Sequence, residues 1–182
     1  MIKIAFVGAG GTGKTTLIDG LREKYRGEND VAFVEEAARK YFEKNPVPED
    51  ERRNIEVQGA IQKWAEANEQ KAVESGAKLV FCDRSVIDTV CYLIAGGQNE
   101  DAENLYQNVV DWVPSYNKIY ILDPVGVPME NDAVRTENEE MRTKLHQAFI
   151  EFFEQKDIAY ELLSGSVQER LAAVTEYVKA NE

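Results

Sequence analysis

Met1-Ile-Lys-Ile-Ala-Phe-Val7 runs straight into Gly8-Ala-Gly-Gly-Thr-Gly13-Lys14-Thr15, and Thr16-Leu17-Ile18 follows. The apolar run predicts a buried strand, the glycines a tight loop, and the residues from about Lys14 to Arg26 a helix. The join spells G-x-x-x-x-G-K-[ST]. Glycines let the backbone curl so that successive N–H groups point at a phosphate, where side chains would block its approach. Lys14 is placed to reach β- and γ-phosphates, and Thr15 to offer Mg²⁺ a hydroxyl. The helix start aims the positive end of its dipole at the same anion. The plain alternative is an ordinary strand–turn–helix corner with a surface lysine. The full pattern instead predicts a nucleoside triphosphate site built from Gly8, Gly10, Gly11, Thr12, Gly13, Lys14, Thr15 and Thr16.

Composition bounds the rest. A chain of 182 residues suits one domain, 1–182, large enough for a substantial core. Hydrophobic content of 43% and charged content of 30% describe a soluble globular protein. A net charge of −12 argues against a nucleic-acid-coating surface, which needs clustered Lys and Arg. The apolar start breaks at once into glycines, so it does not read as a targeting segment. No run approaches a membrane span; the best, Val86 to Ala95, contains Asp88. The two cysteines, Cys82 and Cys91, lack metal or redox spacing and read as buried thiols. These features together predict a cytoplasmic protein.

Strand and helix signals alternate along the chain. Strands are expected at Ile2–Val7, Val31–Val34, Lys78–Cys82, Lys118–Leu122 and Ile158–Leu162. Helices are expected at Asp50–Ser75, Val86–Ala95, Ala102–Trp112, Thr136–Gln155 and Ser166–Ala180. Such alternation implies an α/β fold, with a five-stranded parallel sheet covered by helices on both faces. Ligands of such sheets sit outside the carboxyl ends of the strands.

Those ends carry charge. Glu35 and Glu36 follow the second strand, with Arg39 close behind, and Asp83-Arg84-Ser85 follow the third. A carboxylate at Asp83 fits Mg²⁺, directly or through water, or else caps the next helix. Arg84 fits a phosphate or an acceptor oxygen, or else pairs with Glu36 or Asp88. A hydroxyl acceptor benefits from a carboxylate such as Glu36, whereas a phosphate acceptor wants arginines, and both types are present. Glu36 also fits the first turn of a helix, where acids are favoured. The segment from Pro124 to Asp132 has the composition of a lid, placed at about 124–142. Arg135 and Arg142 then share a helix face and either close over a transferred phosphoryl group or pair with nearby acids. Gln58 and Trp64 offer an amide and a ring to an acceptor base, although a tryptophan at helical spacing is commonly core. His146 reads as part of a solvated helix face.

With these residues in place, the chain resembles the P-loop kinases of nucleosides and nucleotides. It is most similar to the ATPase domain family of nicotinamide riboside kinase type (NadR-like). Besides the phosphate loop, the resemblance rests on Glu36-Ala-Ala-Arg39, on Asp132-Ala-Val-Arg135 with Arg142, and on Tyr160-Glu-Leu-Leu-Ser164-Gly165 with Arg170. Ala133 stands where the family's lid has glycine, and Asp83-Arg84-Ser85 looks more like deoxynucleoside and thymidylate kinases. The resemblance implies a three-layer P-loop NTPase sandwich with a small lid, and γ-phosphoryl transfer from Mg-ATP to a small acceptor. The acceptor is a nucleoside, deoxynucleoside or nicotinamide riboside, or alternatively a nucleoside monophosphate; a nucleotide-gated regulator is the other alternative. It implies Lys14, Glu36, Asp83, Arg84, Arg135 and Arg142 as catalytic residues and Glu36, Arg39, Gln58, Trp64 and Arg84 at the acceptor. Thr15 and Asp83 fall to Mg²⁺, and Gly165 and Ser166 to the adenine edge.

Overall fold

The computed structural model describes residues 1–127 and 139–182. Five strands form one sheet: β1 (Ile2–Val7), β2 (Val31–Val34), β3 (Leu79–Asp83), β4 (Lys118–Leu122) and β5 (Glu161–Leu163). Their order is β2-β3-β1-β4-β5, and every pairing is parallel. The helices are α1 (Lys14–Lys24), α2 (Ala37–Lys44), α3 (Ile55–Glu74), α4 (Asp88–Ala95), α5 (Asn99–Gln107), α6 (Glu139–Gln155) and α7 (Val167–Asn181).

The period of two along each strand sorts side chains onto two cores. Ile4 and Phe6, Leu79 and Phe81, and Tyr120 and Leu122 face α1 and α7. Ala5 and Val7, Val80 and Cys82, and Ile119 and Ile121 face the helices of the other layer, including Val90, Leu105 and Phe149. Helices therefore cover both faces, the three-layer arrangement expected of a P-loop kinase. On the first face Phe6 stacks between Phe81 and Tyr120, with ring centroids 6.1 and 5.9 Å away.

Several element bounds depart from the sequence pattern. The helix expected at Asp50–Ser75 is a 3-10 turn at Glu49–Glu51 and then α3, because the Asn54 side chain accepts from Val57 N–H and starts the helix there. The helix expected from Val86 begins at Asp88, and α5 begins and ends earlier than its apolar residues suggest. β5 is also shorter than expected. Ile158 N–H donates to Phe153 O behind Asp157 at φ 53°, so this residue closes the end of α6 rather than opening a strand. The part of the expected lid from 128 to 138 lies outside the described residues.

Parallel strands bring all five carboxyl ends to one edge. Gly8–Gly13, Glu35–Glu36, Asp83–Ser85, Asp123–Val127 and Ser164–Ser166 therefore meet there, with the glycine loop of β1 between its β3 and β4 neighbours.

Candidate active site

The loop after β1 owes its shape to two glycines above all. Gly8 sits at φ 132°, and a Cβ there would lie 3.3 Å from the Leu122 carbonyl oxygen. Gly13 caps α1 at φ 84°, where a side chain would be strained. Cations then take up the loop's carbonyls. Lys14 Nζ donates to Gly8 O at 2.7 Å, to Ala9 O at 2.6 Å and to Thr12 Oγ1 at 3.2 Å. Arg84 reaches Gly8 O at 3.2 Å, Arg142 reaches Gly11 O at 3.3 Å and Arg170 reaches Thr12 O at 2.7 Å. Carbonyls turned toward cations leave the concave side to N–H groups, which is the construction of an anion nest. The first turn of α1 holds no acid, and Thr15 and Thr16 are exposed there.

Lys14 is only 3% exposed. Burial, and then the Arg84 guanidinium, pull its pKa down to about 7, against the opposing fields of Asp83, Asp88 and Glu36. An anion in the loop would offset that burial.

Beside the loop, Arg84 ties the edge together from a strained backbone, at φ 79°. Its Nε donates to Glu36 Oε1 at 2.7 Å, and its Nη1 to Asp88 Oδ1 at 3.0 Å as well as to Gly8 O. Asp88 Oδ2 accepts from both the N–H and the hydroxyl of Ser85, which locks the turn before α4. Burial pushes the Asp88 carboxyl up, while Arg84 and Lys14 draw it down. Asp83 differs from this network. Its Oδ1 is buried without a hydrogen-bond partner among the described residues, and Asp83 does not cap α4. Burial first, and then the Glu36 charge, raise its pKa.

A cleft opens from this network between α2, α3 and α4. Glu36, Asp83 and Arg84 stand at its loop end, and Arg39, Phe42, Arg52, Gln58 and Tyr92 line its walls. The Arg84 guanidinium lies 5.4 Å from the Tyr92 ring centroid and that of Arg52 lies 4.8 Å from Phe42. Arg39 approaches Glu36 Oε2 at 3.6 Å. Gln58 faces the cleft, though its amide nitrogen donates to Arg52 O at 2.7 Å.

Trp64 does not line the cleft. It packs edge-on against Tyr41, with centroids 5.9 Å apart, and Lys44 lies 4.9 Å from its ring. Arg142 is buried, bonded to Gly11 O, to Val127 O at 3.0 Å and to Glu139 at 2.9 Å, so it joins the phosphate loop to the base of the lid segment. Arg135 lies outside the described residues. Ser166 caps α7 through a box with Glu169, and Gly165 precedes it at φ 92°. His146 is half-buried rather than solvated, and burial lowers its pKa. Sequence reasoning left Phe42, Arg52, Asp88 and Tyr92 out of the site. The spacing Arg84, Asp88, Tyr92 was the available signal, since three positions four apart share a helix face.

Comparisons with known proteins agree with this geometry. The AAA domain family matches residues 3–170. Among solved structures, a NadR protein in complex with NAD and AMP-PNP is 23% identical with a TM-score of 0.74, over 98% of this chain and 49% of that one. Deoxyadenosine kinase from M. mycoides with bound dATP is 16% identical with a TM-score of 0.70, over 98% and 100% of the two chains. Thymidylate kinase from Ehrlichia chaffeensis is 18% identical with a TM-score of 0.67, over 98% of each. The chain thus spans about half the length of the NadR protein. Among curated proteins none matches by sequence. The shared fold is that of the P-loop kinases. No helix among the described residues is long and apolar enough to cross a membrane.

Proposed function

The chain belongs to the AAA domain family, and from that premise we propose an ATP-dependent phosphotransferase. Its acceptor is the hydroxyl of a small nucleoside: a nucleoside, a deoxynucleoside or nicotinamide riboside. One observation carries the reading. A single arginine, Arg84, holds the Glu36 carboxylate and the Gly8 carbonyl together, so an acid on the cleft side is fixed beside the phosphate loop. In the proposed reaction the acceptor oxygen bonds to the γ-phosphorus and the bond to the β-bridging oxygen breaks. ADP leaves, and the hydroxyl proton passes to Glu36.

Lys14 neutralises the β/γ oxygens by exchanging its carbonyl partners for phosphate. Arg39 and Arg84 steady the acceptor, and Arg142, with Arg135, belongs to the segment that closes over the transferring group. The loop at Ser164–Ser166 borders the adenine. Mg²⁺ fits the residues present: Asp83 brings a buried oxygen with no protein partner among the described residues, and Thr15 an exposed hydroxyl. These two side chains would hold the ion, which when bound offsets phosphate charge. No cluster of three acids, histidines or cysteines forms a metal cage among the described residues, as suits an ion held largely by phosphates and water.

A second reading draws on Arg53. It lines the cleft and makes no ion pair or side-chain hydrogen bond among the described residues, which favours an acceptor that already carries a phosphate. The test is ADP release from Mg-ATP against nucleosides, nicotinamide riboside and nucleoside monophosphates, with Glu36→Gln alongside. Turnover that needs a nucleoside and falls about 10²-fold in Glu36→Gln supports the hydroxyl acceptor. Turnover with a monophosphate that survives Glu36→Gln selects the second reading. ATP binding without acceptor-dependent turnover sinks both.

A further inference from the structure

We propose that Arg170 is a positioning residue that couples the nucleobase side of the ATP site to its phosphate side. The inference rests on the nucleotide reading given above and assigns a residue that the reaction itself does not use. The side chain leaves α7, is 3% exposed, and spreads its fork over three separate loops. Nη1 donates to Thr12 O of the phosphate loop at 2.7 Å, and Nη2 to Asp123 O after β4 at 2.9 Å. Nε donates to Gly165 O after β5 at 3.0 Å. Three strands of the sheet thus deliver their carboxyl ends to one guanidinium.

Its electrostatics distinguish it from a structural staple. Arg170 makes no ion pair among the described residues, and its partners are all carbonyls. The nearby Asp123 carboxylate is engaged by Val125 N–H at 2.9 Å and by Ser164 Oγ at 2.9 Å. Burying a cation on neutral acceptors is costly, and burial does lower the Arg170 pKa. The charge lies directly under the anion site: its Nη1 is 3.6 Å from where a Gly13 Cβ would stand. A bound triphosphate offsets that cost, and a planar fork transmits the resulting geometry to the other two loops.

The far end of the linkage is equally rigid. Gly165, at φ 92°, leaves no room for a side chain, since an added Cβ would meet Glu169 Oε2 at 2.7 Å. The Ser166–Glu169 box holds that turn. A base resting on Ser164–Ser166 therefore biases the loop that grips the phosphates, and phosphates bias the base loop in return.

The experiment is calorimetric titration of Mg-ATP and of Mg-tripolyphosphate, which lacks base and sugar, into wild type, Arg170→Lys and Gly165→Ala. Coupling predicts that Arg170→Lys weakens ATP about tenfold while tripolyphosphate stays within about threefold, because an ammonium cannot span the three carbonyls as a fork does. Gly165→Ala reaches the linkage from the base side and should narrow the ATP preference in the same way. A purely structural role would weaken both ligands alike. Either variant retaining the wild-type ratio of the two affinities overturns the proposal. Wild type that binds neither ligand, or both equally, overturns the nucleotide reading instead.

Discussion

Lys3, near the amino end of β1, and Lys14, beyond its carboxyl end, are almost equally hidden, at 1% and 3% exposure. Lys3 Nζ meets Glu69 Oε2 at 2.9 Å and lies 4.7 and 4.2 Å from the ring centroids of Trp112 and Tyr116. Glu69 is satisfied in turn: Trp112 Nε1 donates to Oε2 at 2.9 Å, and the Tyr116 hydroxyl to Oε1 at 2.7 Å. Lys14 makes no ion pair among the described residues. Its bonds go to two carbonyls and a hydroxyl, and its pKa falls to about 7. The first lysine has its counter-charge inside the fold. The second is set up to receive one from outside, and that contrast separates a structural charge from a binding one.

The largest expected effect tests the binding end. Lys14→Ala should reduce phosphoryl transfer on the order of 10³-fold, roughly 4 kcal/mol of transition-state stabilisation. It should leave thermal stability no lower than that of wild type, because it removes an amine whose charge burial disfavours. Near-normal turnover, measured as acceptor-dependent ADP release, would break the comparison at its functional end. The structural end is tested by Lys3→Met, which strands the Glu69 charge in the interior. Denaturant unfolding should show a loss on the order of 3–5 kcal/mol. Adding Glu69→Gln, which keeps an acceptor for Tyr116 and Trp112, should recover most of it. A loss below about 1 kcal/mol for Lys3→Met would mean that Glu69 does not depend on its partner.

The two ends also differ in how far sequence reveals them. The phosphate loop is a local arrangement: Lys14 and its partners Gly8, Ala9 and Thr12 lie within one short segment, so spacing alone exposes it. Alternating apolar residues likewise expose β1, β2 and β4, because burial on both faces demands them. The Lys3–Glu69 pair joins residues 66 apart, and Arg84–Glu36 joins residues 48 apart. No local rule specifies those pairings, although a lysine inside an apolar strand does signal a buried partner. Ile158 misled for the opposite reason: an apolar residue read as strand closes the end of α6. Arg142 was legible as a cation near the lid, yet its bonds to Gly11 and Val127 depend on how β1 and α6 meet.

Asp83 carries the contrast over to anions. Asp88, also on the β3–α4 connection, has Arg84 and Ser85 as partners, whereas Asp83 keeps one buried oxygen without any among the described residues. Asp83→Asn should therefore lower turnover about 10²-fold and raise the Mg²⁺ concentration needed for half-maximal rate. Its melting temperature should not drop, since burial and the Glu36 charge both disfavour the carboxylate. A destabilised variant with an unchanged Mg²⁺ requirement would place Asp83 with the structural charges.

The smallest effect concerns the other lysine seated on a tryptophan. Lys44 lies 4.9 Å from the Trp64 ring, much as Lys3 lies 4.7 Å from Trp112. The ring contact is alike, yet Lys44 is exposed and no carboxylate is buried beneath it. Water solvates both the lysine and part of the indole, so the pair owes its strength to the edge-on contact with Tyr41 and to a screened cation–π attraction. Trp64→Leu should cost about 1 kcal/mol in denaturant unfolding, well below the loss from Lys3→Met. Because Trp64 lies off the cleft, the KM for the acceptor should stay within about twofold of wild type. A tenfold rise in that KM with unchanged stability would put the indole in contact with acceptor, and the cleft would then extend past α2 toward Tyr41. An equal loss from Trp64→Leu and Lys3→Met would show that the ring, rather than the internal carboxylate, holds a buried lysine in this fold.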